Sequence, residues 1–109
     1  MHQLAGDFAE EMVARGYALD FSEESAAELE RVVRQVCKDT DPRSETAQAI
    51  GAYLGELIVR NRGGRWVELG DSFGVDLPDG ARAMPLDVVA DRLRSGPAQD
   101  LGAYFRSLR

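Results

Sequence analysis

The segment from Asp41 to Trp66 does most to limit what this chain can fold into. Asp41-Pro42 reads as a helix start, with Asp as N-cap and Pro at the first helical position, where a missing N–H costs nothing. The helix should run to about Asn61. Ile50, Leu54, Leu57 and Ile58 make its core face, while Ala47, Gly51 and Gly55 form a stripe of minimal side chains at i, i+4 and i+8. A glycine inside a helix costs about 1 kcal/mol relative to alanine, so two of them imply another backbone packed close to this helix. It is therefore expected to be the central helix. Gly63-Gly64 ends it, Arg60 and Arg62 complement its C-terminal dipole, and Arg65-Trp66 opens a strand.

The flanking segments follow the same kind of reading. Leu4, Phe8 and Met12, widened by Ala5, Ala9 and Val13, predict a first helix from about Gln3 to Arg15, closed by Gly16. Ser22 reads as the N-cap of a second helix reaching about Lys38, with Glu23 and Glu24 in its first turn and Phe21 as one half of a hydrophobic staple. Ala26, Leu29, Val33 and Val36 form its buried face, flanked by Val32 and Cys37, and Glu30–Arg34 is an i,i+4 pair assigned to the exposed side. Beyond the central helix, strands are expected at about Arg65–Leu69, Phe73–Leu77 and Ala81–Met84. Pro85 then opens a fourth helix, and Gly96-Pro97 stops it and starts a fifth bearing Leu101, Tyr104, Phe105 and Leu108. Three helices, a small antiparallel three-stranded meander and two further helices define an α+β fold of one domain over residues 1–109.

Charge and residue inventory exclude more functions than they suggest. Residues 1–41 carry ten acids and four bases, whereas residues 42–109 carry nine of each, so the net charge of −6 belongs to the first two helices. That field repels nucleic-acid phosphates and favours a basic partner. The longest apolar runs fall far short of the ~20 residues that span a bilayer, and the first residues lack the pattern of a secretory signal, so a cytoplasmic location is expected. Twelve of the thirteen basic residues are Arg, which points to a GC-rich bacterial genome.

With Cys37 the only cysteine and His2 the only histidine, at an end expected to be mobile, no Cys–His pair, Ser-His-Asp triad or two-His metal motif is in prospect. No catalytic residue, metal site or cofactor is assigned. Neither dinucleotide-binding nor Walker spacing surrounds Gly63-Gly64. Among the carboxylates, Glu10-Glu11 and Glu23-Glu24 are adjacent and point in different directions on a helix, while Asp87 with Asp91 reads as a solvated face with Arg92 and Arg94 nearby. Glu56, inside an apolar helix, is expected at the edge of the core face and paired with Arg60.

One cluster remains as a candidate ligand site: Arg60, Arg62, Arg65 and Trp66 around the two glycines. Guanidinium groups beside a glycine-rich turn can hold an anion. Phosphate loops, however, precede a helix and use its N-terminal N–H groups, whereas this one follows a C-terminus whose dipole opposes an anion. The structural reading, with Trp66 as an anchor beneath the corner, therefore leads.

Ala52-Tyr53-Leu54-Gly55-Glu56, then Gly63-Gly64-Arg65-Trp66, resembles small bacterial domains of unknown function in which an A-Y-L-G-E helix precedes a G-G-x-W strand. Pro85-Leu86-Asp87-Val88-Val89, Arg92-Leu93, Gly96 and Leu101 to Leu108 extend the likeness over about residues 45–109. The resemblance implies a fold and a bacterial origin and transfers no catalytic residue. The leading expectation is a non-enzymatic protein-interaction or accessory domain, of immunity type among others, with another protein as partner and a homodimer as one form of that. The alternative is a small anionic ligand at Arg60, Arg62 and Arg65.

Overall fold

The computed structural model describes residues 1–108. They form α1 (His2–Ala14), α2 (Ser25–Gln35), α3 (Glu45–Arg62), β1 (Arg65–Leu69), β2 (Ser72–Asp76), β3 (Arg82–Ala83), α4 (Pro85–Ser95) and α5 (Leu101–Ser107), with a 3-10 turn at Pro97–Gln99. The sheet is an antiparallel meander in the order β1-β2-β3, in which Trp66 faces Val75 and Asp76 faces both Arg65 and Arg82. The class is α+β, with three helices before the sheet and two after it.

Central placement of α3 follows from its sequence. It packs against α1, α2, α4, α5 and the first two strands, and Ile50, Tyr53, Leu54, Leu57 and Ile58 are fully buried. The small-residue stripe has two different uses. A Cβ on Gly51 would sit 3.0 Å from the Cα of Leu86, so there the backbone of α4 does come close. At Gly55 the neighbour is a side chain: a Cβ would lie 2.1 Å from Trp66 Cη2, inside the indole. Gly63 takes the left-handed conformation that ends the helix, at φ 76°.

Two helix starts differ from expectation, and in each the expected cap forms a local hydrogen bond within its own turn. Ser22 does not cap α2. Its N–H and hydroxyl both donate to Asp20 Oδ1, at 3.1 and 2.5 Å, and α2 begins at Ser25. Phe21, just before it, is left-handed at φ 62° and stacks on Tyr53 with ring centroids 4.5 Å apart. Asp41 likewise spends its carboxylate on the Arg43 N–H at 2.8 Å, and Ser44 becomes the N-cap of α3, accepting from Ala47 N at 3.2 Å. At its other end α2 stops at Gln35, which leaves Val36 37% exposed instead of buried.

The interior is bridged as well as packed. The buried Tyr53 hydroxyl donates to Ser25 Oγ at 2.8 Å and accepts from the Phe21 N–H at 3.0 Å. Ser25 Oγ in turn donates to the Ser22 carbonyl at 2.6 Å. This relay fastens the α1–α2 connection to α3. Gly55→Val should cost about 1–3 kcal/mol in urea denaturation, because the added methyl groups must displace the Trp66 ring. An unchanged midpoint would mean that the indole does not occupy that seat.

Candidate functional site

The helix–strand corner is organised around Glu56, which is only 5% exposed. Its Oε2 accepts from Trp66 Nε1 at 2.7 Å; His2 Nδ1 lies 3.0 Å and Arg60 Nε 3.4 Å from its Oε1. The expected Glu56–Arg60 pair therefore forms, with two further partners. His2 is not a free end: its ring is 79% exposed, yet Nδ1 reaches the carboxylate. Burial works to raise the Glu56 carboxyl, but hydrogen bonds from Trp66 and His2 and the charges of His2 and Arg60 outweigh it and hold the group below the ordinary Glu range.

The arginines of the corner are drawn to separate internal partners. Arg60 lies over the Phe21 ring at 4.0 Å. Arg62 lies over Phe105 at 4.2 Å, donates to the Leu108 carbonyl at 3.1 Å and pairs with Glu23. Arg65 opens β1 on the exposed side, opposite Asp76, whose carboxyl is lowered chiefly by its hydrogen bonds from Arg82. Trp66 is partly buried against the core, edge-on to Phe73 at 6.4 Å. Gly64 serves close packing, since a Cβ there would meet Val75 Cγ1 at 2.5 Å. The corner thus joins its indole to the core and turns Arg60 and Arg62 toward rings and acids.

A second carboxylate is more deeply committed, and here the expectation of an exposed pair is corrected. Glu30 is 4% exposed and Arg92 5%. Arg92 Nη2 donates to Glu30 Oε2 at 2.8 Å, with Nε at 3.0 Å from the same oxygen. Arg34 Nε donates to Oε2 at 2.8 Å, as the i,i+4 spacing predicts, and the Leu101 N–H donates to Oε1 at 2.8 Å. Arg92 is accordingly not part of the solvated Asp87/Asp91 face. Helical periodicity could have raised it, since it follows Leu86, Val89 and Leu93 around α4, but only the fold supplies its partner.

A third feature has no counterpart in the sequence reading. Between α1, the end of α2 and the first turn of α3 lies an open groove of about 450 Å³. Leu4, Phe8 and Met12 of α1 line it with Val36 and Cys37, and its rim carries Asp7, Glu11 and Glu45 against the single base Arg15. Glu11 and Arg15 pair at 3.3 Å. Cys37 is buried and burial pushes its thiol up, against a smaller lowering by Thr40. A raised thiol pKa leaves little thiolate at neutral pH, so Cys37 is a packing residue of the groove floor.

Among the described residues no group of three or more His, Cys, Asp or Glu side chains is arranged to hold a metal ion, and no helix is long and apolar enough to cross a membrane. No family model matches the chain, and no curated protein and no solved structure matches it.

Two measurements test the carboxylates. Glu30→Ala leaves Arg92 buried and unpaired and should cost about 3–5 kcal/mol, whereas a loss within ±0.5 kcal/mol, typical of surface substitutions, would place the pair outside the core. For Glu56, a depressed folded pKa means that its stabilisation is present above the ordinary value of about 4.3 and is lost as pH falls through the depressed one. Urea titrations from neutral into acid pH should therefore show a shallower decline for Glu56→Gln than for the parent chain. Parallel declines would remove Glu56 from the acid response.

Proposed function

We propose that this chain is a non-enzymatic protein-interaction domain that receives a basic amphipathic segment of another protein in the groove between α1, α2 and α3. The observation that carries this reading is the groove's composition: Val36 and Leu4 present apolar surface over the buried Phe8 and Met12, beside three acids and one base. Helix-in-groove recognition uses this division: apolar anchors supply burial and flanking charges set register and partner choice. The surrounding field has the same sign, because the acidic excess of the chain lies in residues 1–41.

Several facts support binding over chemistry at the polar groups described. Glu30 and Glu56 are saturated by donors from the domain itself. Among the described residues no buried side-chain nitrogen or oxygen lacks a hydrogen-bond partner. An accessory or immunity-type role is the setting in which we place such a binder, on the strength of its acidic N-terminal surface. A second copy of the chain is the poorer occupant, since an isologous contact through this groove would oppose two acidic faces. The alternative, an anion held by Arg60, Arg62 and Arg65, draws no support from arginines already engaged with Glu56, Glu23, Phe21 and Phe105.

The test is an amide-shift titration with a lysine-rich amphipathic helical peptide and its glutamate-rich counterpart. Shifts should concentrate at Leu4, Phe8, Met12, Val36 and Thr46, weaken with salt and be absent with the acidic peptide. Asp7→Lys/Glu11→Lys should weaken binding at least tenfold while leaving the fold intact, since both sites are exposed. Equal response to both peptides, or shifts confined to another face, would overturn the proposal.

A further inference from the structure

We infer that the cleft between α2 and the start of α5 binds a small phosphate monoester, at a site separate from the groove and independent of it. The cleft is open to solvent, has a volume of about 310 Å³ and is lined by Glu30, Arg31, Arg34, Gln35, Asp100 and Arg106 with the small Ala27. That is roughly ten times the ~30 Å³ that one water occupies in the liquid, so a phosphate fits with a compact organic group attached.

The donor–acceptor balance identifies the ligand class. Both carboxylates in the cleft are already occupied by the fold. Glu30 accepts from Arg92, Arg34 and the Leu101 N–H. Asp100 caps α5, accepting from Ala103 N at 2.9 Å through Oδ1, while its Oδ2 accepts from Arg34 Nη2 at 3.1 Å. Gln35 Oε1 accepts from the Tyr17 hydroxyl at 2.8 Å, which leaves the amide N–H groups. Arg31 pairs with Glu28 and lies over the Tyr17 ring at 4.8 Å, and Arg34 spends Nε and Nη2 on Glu30 and Asp100, so the donors still unspent are the Gln35 amide, the remaining N–H groups of these two arginines and the Arg106 guanidinium.

Charge has the same sense. With Arg92 beneath Glu30, four guanidinium groups stand around two carboxylates, and Glu28 offsets Arg31 only at 3.6 Å. With Glu28 counted, four guanidinium groups meet three carboxylates, so this side of α2 carries one positive charge in excess, which Arg106 supplies, in the half of the chain that carries the acidic excess. Arg106 is the group with no internal role. It forms no ion pair among the described residues. Its Nη1 lies 3.1 Å from where a Cβ on Gly102 would sit, the same distance as Asp100 Oδ1, so the absent side chain lets the guanidinium fold over α5 toward the cleft.

A phosphate suits this arrangement better than a carboxylate. Guanidinium groups approach from two helices, Arg31 and Arg34 from α2 and Arg106 from α5, and a phosphate offers a terminal oxygen to each. A carboxylate is satisfied by one bidentate arginine.

Calorimetry of the full chain with glycerol 3-phosphate, and separately with a short phosphoserine peptide, tests the site and distinguishes a free metabolite from a modified side chain. Binding of either, with at least a tenfold loss in Arg106→Ala and a comparable loss in Arg31→Ala, is the expected result. Arg34 is left intact because it also holds Glu30 and Asp100. Binding of neither probe, or binding undiminished in Arg106→Ala while the variant keeps its parent's unfolding midpoint, would overturn the inference.

Discussion

The ion pair between Glu30 and Arg92 sets the geometry on which the second half of the domain depends. Two charges in a nearly dry interior lose their hydration, and their attraction offsets that loss only when donors and acceptors are matched. The matching partners come from α4 and from the first N–H of α5, 62 and 71 residues away in sequence. An apolar contact tolerates sliding by an ångström or more. A forked guanidinium on a carboxylate does not, so α4 and α5 are fixed relative to α2 in rotation as well as distance.

Glu56 repeats this logic on α3, using one indole N–H and one imidazole in place of a guanidinium fork. Tyr53, three residues earlier, carries the same principle into the α1–α2 connection through Ser25. In each case a polar atom on a helix is buried beside a donor from a distant part of the chain, and hydrophobic packing closes around it. The left-handed Phe21 belongs to this set. Its strained backbone is held by an N–H donated to Tyr53 and by a ring sandwiched between Tyr53 and Arg60.

Much of the architecture was legible because it rests on local periodicity. The core face of α3, the glycine stripe, the αL turn at Gly63 and the meander beyond it all have signatures within a few residues. Helix starts were less legible, since Ser22 and Asp41 are good caps in isolation but bond to neighbours two positions away. Glu30 was misplaced for a deeper reason: an i,i+4 partner is a true local signal and says nothing about a second arginine arriving from α4. The candidate site has the same history. Arg60 was paired correctly with Glu56, but the rings over which Arg60 and Arg62 lie come from the α1–α2 connection and α5. The groove was invisible because it is a space left by three elements, not a property of any one of them.

The two ends of the described chain are tied to the same helix. His2 reaches Glu56, and Arg62 holds the Leu108 carbonyl. Six residues of helix separate those attachment points, about 9 Å along the axis. The first turn of α1 and the residue after α5 are therefore both anchored to the second half of the central helix. Both ends of the described fold thus draw on one stretch of helix, and unwinding its last two turns would release them together.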